Sequence, residues 1–261
     1  MTYAASAARR AALDSATMLR RDMRHMIRFP LMTVSGIAFP CLMLLLFTYV
    51  FGAAIGGGDR SAYVNYIVPG ILMMAIGGGG AATAININED MSEGVIARLR
   101  TMAIPRIAVL AGQVAGSLIR TAMSLVLVVG VALLVGFRPS ASFADWLAVI
   151  GLALLVIFAV SWMCAAFGLV ARTPAGANSS SLLFQFGPFV SSAFVSPDSM
   201  SKGIRWFAEY QPFTPIIDTF RGLLTDAPVG TAWIAAVAWS IGLSAVGILW
   251  SRAAFLRLPA R

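Results

Sequence analysis

Six long apolar segments limit what this chain can fold into. They cover residues 31–51, 64–85, 117–137, 146–171, 179–196 and 231–250. A helix needs about 20 mostly apolar residues to cross a bilayer, and in lipid its backbone hydrogen bonds must be satisfied internally. The segments lack the alternation of a membrane β-barrel. With only 11% charged residues and a mean hydropathy of +0.84, the sequence predicts an all-α integral membrane protein whose six transmembrane helices form one domain, residues 31–250.

The basic residues predict the orientation of the chain. Six arginines precede the first span, and others follow spans two, four and six. By the positive-inside rule both termini are cytoplasmic, in a bacterial cytoplasmic membrane. The net charge of +8 then reflects orientation and not a nucleic-acid partner. Residues 1–30 form a cytoplasmic region whose stretch 13–30 is expected to be an amphipathic helix against membrane lipid, and 251–261 form a basic cytoplasmic tail.

The sequence shows no combination of residues that is typical of a catalytic site. His25 is the sole histidine, and Cys41 and Cys164 lie inside apolar segments. A P-loop requires Gly-Lys-Ser/Thr, yet the single lysine, Lys202, lies in "SKGI". All 11 acidic residues fall outside the six spans, which disfavours an ion-coupled transporter. We therefore expect neither a catalytic site, nor a metal site, nor a bound cofactor, and any ATP with its magnesium ion must bind a partner chain.

A charged stretch interrupts the apolar sequence between spans two and three. Residues 86–106 read "NINEDMSEGVIARLRTMAIPR", in which Asn86 and Glu89 have the spacing of a helix capping box. Apolar residues from Met91 to Met102 follow helical spacing, and Pro105 ends the pattern. The stretch predicts a short amphipathic helix, which either rests at the membrane surface or docks in a groove of a partner protein.

Two further patterns concern the interior of the bundle. The run Gly77–Gly80 in span two favours close helix packing over a hinge. In span five, polar residues lie among phenylalanines, which suits either a path for an amphipathic molecule or hydrogen bonds between helices. The candidate path residues are Gln185, Phe189, Ser191, Ser192 and, in span two, Thr83.

The outer loop before span six is too apolar for an irregular loop. Met200–Tyr210 and Thr214–Leu224 each predict a short helix on either side of Pro212. Neither is long enough to cross a bilayer. We expect two extracellular helices that dip into the outer face of the membrane, with Trp206, Phe207 and Tyr210 at the level of the headgroups.

Four stretches carry a family resemblance that covers nearly the whole chain. They are "EGVIARLRTMAIPR", "GFRP", "SSAFVSPDSM" and "FAEYQPFTPIIDTFRGLL". Together they resemble the permease subunits of ABC-2 type exporters, closest to the daunorubicin/doxorubicin-resistance permeases. The resemblance implies re-entrant helices before span six and a coupling helix at about 89–102 that contacts an ABC ATPase subunit. The implied contact residues are Glu89, Asp90, Glu93, Val95, Ile96, Leu99 and Met102.

The resemblance also implies a function. Two permease copies, identical or different, would pair with two ATPases, and the substrate path would follow the permease–permease interface formed by spans one, two and five. The expected function is ATP-driven export of hydrophobic or amphipathic, drug-like compounds, with no enzymatic activity in this chain. The alternatives are an exporter of a lipid or glycan precursor, and a membrane sensor or scaffold that needs no ATP.

Overall fold

The computed structural model describes residues 30–52, 59–92, 106–195 and 199–257, and the regular secondary structure in these ranges is entirely helical. The helices are α1 (Pro30–Leu46), extended by a π-helical turn (Phe47–Phe51), α2 (Arg60–Ser92), α3 (Arg106–Val135), α4 (Phe143–Val170), α5 (Pro174–Phe186), extended by a 3-10 turn (Gly187–Val190), α6 (Lys202–Tyr210), α7 (Phe213–Thr225) and α8 (Ala232–Arg257).

Four of these helices are long and apolar enough to cross a membrane. The qualifying stretches are Arg60–Ser92, Leu110–Val135, Phe143–Val170 and Ala232–Leu256, and they match predicted spans two, three, four and six. Predicted span one corresponds to a shorter apolar helix, Ile37–Phe51. Predicted span five corresponds to α5 and its 3-10 turn, after which residues 191–195 leave the helix. The structure therefore supports a helical membrane protein, while the count of six spans stays a prediction.

Helix α2 is the centre of the bundle. It packs against α1, α3, α4, α5 and α7, and α4 packs in turn against α8. Its side chains are buried almost continuously from Tyr63 to Ala84, as expected for a helix that is apolar on all sides. The outer helices instead leave large apolar side chains exposed, among them Val126 and Leu134 on α3 and Leu249 on α8.

The glycine run of α2 lets neighbouring helices approach its backbone. A Cβ atom on Gly77 would overlap the backbone of Phe184 on α5, and one on Gly79 would overlap the side chain of Thr121 on α3. A Cβ on Gly80 would lie 2.6 Å from Val160 Cγ1 on α4. Three successive helices thus use three of the four glycines, which confirms the packing interpretation of the run. Gly78 differs, because its Cβ would meet only Gln185 Nε2, at 4.0 Å.

The predicted helix cap at Asn86 is wrong. Asn86 does not cap a new helix, because α2 continues through it without a break to Ser92, past the predicted end at Ile85. The helix can continue because Asn88 and Asp90 find hydrogen-bond partners on α4 and α3, so polar residues need not leave the bundle. Helix α3 begins at Arg106, ahead of the predicted span 117–137, and α8 continues to Arg257, beyond the predicted span 231–250. The bounds of the spans stay predictions.

Other helix ends follow the local sequence. Ser142 and Asp145 form a capping box at the start of α4, and the Thr173 hydroxyl accepts the amide of Gly176 at the start of α5. Asp59 Oδ1 accepts the amides of Ala62 and Ser61, both at 3.0 Å, at the start of α2. These bonds, that from Ala62 first, hold the pKa of the Asp59 carboxyl below its usual value.

Helices α6 and α7 occupy the places of the two short helices predicted before span six. Trp206, Phe207 and Tyr210 are exposed on α6, while α7 is largely buried against α2, α4 and α8. Their insertion into the outer face of a membrane stays a prediction. Residues 13–29 of the helix predicted at 13–30, and the last residues of the basic tail, 258–261, lie outside the described residues.

Candidate coupling end and substrate path

The C-terminal end of α2 is tied to α4 by one asparagine. Asn88 is only 5% exposed. Its side-chain Nδ2 donates to the carbonyl oxygens of Gly168, at 3.0 Å, and Ala171, at 2.7 Å. Gly168 lies in the last turn of α4 and Ala171 is the residue that caps it, a place where carbonyls have no intrahelical donors left. The Asn88 side chain thus supplies hydrogen-bond donors to two carbonyl groups at the end of α4.

The acidic residues at the same end of α2 have different surroundings. Asp90 Oδ2 accepts a hydrogen bond of 2.5 Å from Gln113 Nε2 on α3. Glu89, one position earlier, is exposed. The remaining predicted contact residues of the coupling helix lie outside the described residues: Glu93, Val95, Ile96, Leu99 and Met102. Of the two acids that are described, Asp90 is engaged within the chain and Glu89 faces outward.

The candidate path residues divide into two groups, of which the first is accessible. Gln185, near the end of α5, is half-buried, and its amide has no hydrogen-bond partner within the described ranges. Phe189, in the 3-10 turn, is 36% exposed. Both side chains are therefore available to a molecule or chain that approaches this end of α5.

Phe189 belongs to a phenylalanine cluster that joins α1 to the end of α5. We define the cluster as Phe39, Phe47, Phe51, Phe186, Phe189 and Phe194. Ring centroids are 4.2 Å apart for Phe47 and Phe194 and 4.9 Å apart for Phe189 and Phe194, both stacked. Apolar side chains of the same two segments, including Tyr49, Val50 and Leu183, are also exposed. The end of α1 with its π-helical turn and α5 with its 3-10 turn therefore present exposed apolar and aromatic side chains.

In the second group of candidate path residues, the side-chain hydroxyls form hydrogen bonds within the chain. Ser191 Oγ donates to the carbonyl of Pro188 at 2.6 Å, and Ser192 Oγ donates to Asp218 Oδ1 at 2.7 Å. Thr83 is fully buried, with its Oγ1 2.6 Å from Ser117 Oγ on α3, which lies 2.9 Å from Ser161 Oγ on α4. These three side chains connect parts of the chain to each other, as polar residues between membrane helices commonly do.

Sequence reasoning missed an ion pair that holds the turn after α5. On α7, Arg221 Nη1 lies 2.6 Å from Asp218 Oδ1, and Arg221 Nη2 donates to the Ser192 carbonyl at 2.6 Å. The guanidinium also covers the Tyr66 ring of α2 at 3.9 Å and donates to the Tyr66 carbonyl. The sequence signal for this pair was the spacing of Asp218 and Arg221, three residues apart in an otherwise apolar helix. That spacing does not reveal the contacts of Arg221 with Ser192 and Tyr66.

Four helices long and apolar enough to cross a bilayer, with large apolar side chains exposed on the outer helices, define an integral membrane protein. A family model described as "ABC-2 type transporter" matches residues 15–225. The chain belongs to the ABC-2 type transporter family, as its sequence motifs indicated.

Curated relatives agree with this assignment. The chain is 32% identical over 240 residues, 90% of its own length and 81% of the relative's, to the "Daunorubicin resistance ABC transporter permease protein DrrB1" of Streptomyces coeruleorubidus. It is 24% identical over 213 residues, 82% of its length and 77% of the relative's, to the "Probable doxorubicin resistance ABC transporter permease protein DrrC" of Mycobacterium tuberculosis. These relatives are permease subunits, so the expectation of a non-catalytic permease is confirmed, with the ATPase on a separate subunit.

Proposed function

We propose that this permease exports hydrophobic or amphipathic, drug-like compounds across the bacterial cytoplasmic membrane, driven by an ABC ATPase that binds ATP and magnesium. The observation that carries the proposal is the 32% identity, over 90% of the chain, to a permease named for daunorubicin resistance. In this proposal both termini and the α2–α3 connection face the cytoplasm, and two permease copies, identical or different, form the working complex.

We place the substrate path beside the phenylalanine cluster. Gln185 and Phe189 are its proposed contact residues, because both are accessible and lie at the end of α5. Aromatic side chains beside the accessible Gln185 amide suit a flat amphipathic compound, which needs apolar area and few polar contacts. The apolar face around the cluster is where the second permease copy would close the path. Ser191, Ser192 and Thr83 shape its walls through their bonds within the chain.

ATP-dependent uptake of daunorubicin into inside-out vesicles tests the function. With a P-loop ATPase encoded beside the permease, we expect uptake that requires ATP, and Phe189→Ala should lower the initial rate on the order of tenfold, by loss of about 1.4 kcal/mol of aromatic contact. Phe143→Ala is the matched control, since Phe143 is an exposed phenylalanine at the start of α4 that is not part of the phenylalanine cluster. ATP-driven movement of a labelled lipid or glycan precursor without drug uptake would favour the alternative cargo. If no solute moved in an ATP-dependent way, the result would favour the membrane sensor or scaffold.

Glu89 is the described acid that we assign to the ATPase contact. Glu89→Arg should weaken permease-dependent stimulation of the ATPase by roughly tenfold, because reversing a charge at an interface opposes binding. Asp90→Asn is the matched control: an asparagine oxygen still accepts the Gln113 bond, so stimulation should change less than about twofold. The measurement is ATPase activity of reconstituted complexes at equal permease content. Equal stimulation in Glu89→Arg and wild type would remove Glu89 from the contact.

A further inference from the structure

Asn88 joins the proposed ATPase-facing end of the permease to the end of α4, the helix that precedes the one carrying the proposed path residues. It follows Ile87 near the C-terminal end of α2, one position before Glu89. Its two hydrogen bonds reach the Gly168 and Ala171 carbonyls of α4. A side-chain amide has two N–H donors, so these two carbonyls use its full donating capacity.

The backbones of α2 and α4 are in direct contact just above these bonds. A Cβ atom on Gly168 would lie 2.5 Å from the Ala84 carbonyl oxygen, so no side chain separates the two helices there. Asn88 lies one helical turn after Ala84 and extends this contact to the end of α4. Close backbone packing resists sliding, since protein interiors have few voids into which atoms can move. The two C-terminal ends therefore move together while the Asn88 bonds are intact.

The end of α4 is linked in turn to the beginning of α5 by a very short connection. Only Ala171, Arg172 and Thr173 separate the two helices. Thr173 Oγ1 accepts the Gly176 amide at 3.1 Å, and Pro174 occupies the first helical turn. A connection of three residues, one of them a helix cap, leaves little slack. Displacement of the Ala171 carbonyl is thus passed to α5, whose other end carries Gln185 and Phe189.

We infer that Asn88 is a positioning residue that transmits movement of the C-terminal end of α2 to α5 through the last turn of α4. The inference rests on the proposed function, because it concerns how ATP use on the partner is coupled to the path. Neither bond of Asn88 touches substrate or ATPase. Its loss should therefore reduce the transport obtained for each ATP hydrolysed and leave the folded amount of permease and its ATPase stimulation in place.

The experiment compares Asn88→Ala and Asn88→Leu with wild type in vesicles that also contain the neighbouring ATPase, with daunorubicin as the probe. Both variants remove the donors, but leucine keeps most of the side-chain volume, so a cavity effect and a donor effect separate. Asn86→Ala is the matched control, since Asn86 is a half-buried asparagine of the same helix for which the described residues offer no hydrogen bond. Drug uptake, ATPase rate and the amount of extracted permease are measured on the same preparations.

We expect drug uptake per ATP to fall roughly tenfold in both Asn88 variants, as losing two buried hydrogen bonds allows, with ATPase stimulation within about twofold of wild type. Asn86→Ala should retain the wild-type ratio. A wild-type ratio in Asn88→Leu would overturn the inference in favour of simple packing. A proportional fall of uptake, ATPase and permease amount would overturn it in favour of a structural role. Absence of ATP-dependent uptake in wild type would instead reject the proposed function.

Discussion

Replacing Gly77 by alanine is expected to destabilise the folded permease strongly, whereas the same substitution at Gly78 should be tolerated. The added Cβ at position 77 would lie 2.5 Å from the Phe184 carbonyl carbon and 2.7 Å from Gln185 Cα. Because both are backbone atoms of a packed helix, they cannot move out of the way by a change of rotamer, as side-chain atoms can. Overpacking of a well-filled interior typically costs about 1–3 kcal/mol, and here it also separates α2 from α5.

Gly78→Ala is a stringent control because it lies in the same run and the same turn. Its Cβ would meet only Gln185 Nε2, at 4.0 Å, and alanine favours a helix over glycine by about 1 kcal/mol. Thermal unfolding and extraction yield in mild detergent compare the two variants with wild type. Equal stability of Gly77→Ala and Gly78→Ala would show that α5 does not rest on the backbone of α2 at Gly77.

Arg221→Met should cause the second large loss of stability. The guanidinium bonds the Asp218 carboxylate and the Ser192 carbonyl, and the side chain is only 16% exposed. Methionine keeps much of the apolar stem but leaves these acceptors without their donor. Hydrogen bonds to charged groups contribute about 1.5–3 kcal/mol each; since Asp218 is 37% exposed and water partly replaces its partner, we expect a net loss of about 2–3 kcal/mol.

The matched control is Arg205→Met on the neighbouring helix. Arg205 pairs with Glu209 at 2.7 Å, but the two side chains are 44% and 41% exposed, and exposed pairs are worth only about 0.2–1 kcal/mol. Thermal unfolding of the detergent-solubilised permease should separate the variants. If Arg205→Met were as destabilising as Arg221→Met, the turn after α5 would not depend on the ion pair of α7.

Apolar length predicted which helices exist, but it could not predict where they end. The rule that a span needs about 20 apolar residues located α2, α3, α4 and α8. It placed the end of α2 at Ile85, where apolarity stops, although the helix continues to Ser92. What extends it is tertiary: Asn88 bonds α4 and Asp90 bonds α3. The polarity of a residue does not tell whether a hydrogen-bond partner for its side chain lies on another helix of the bundle.

The candidate site shows the same limit. Sequence placed Gln185, Ser191 and Ser192 together as polar residues among phenylalanines, and left open whether they face a path or bond within the chain. The structure divides them, since both serine hydroxyls are bonded within the chain and the Gln185 amide remains accessible. The decisive partner of Ser192 is Asp218, 26 positions away. Such a pairing depends on how α7 folds back, which no local spacing encodes.

The early break in α5 has a consequence for the order in which the chain is assembled. Its 13 residues give about 20 Å of helix, less than the roughly 30 Å of a bilayer core. The turn that follows needs protein partners for its backbone. The surface at Gly77 has been synthesised before α5 leaves the ribosome, but Arg221 emerges 29 residues after Ser192, which it bonds. The hydrogen bonds that Arg221 supplies to this turn therefore form only after α7 has been synthesised. We expect misassembly during synthesis to concentrate at this step.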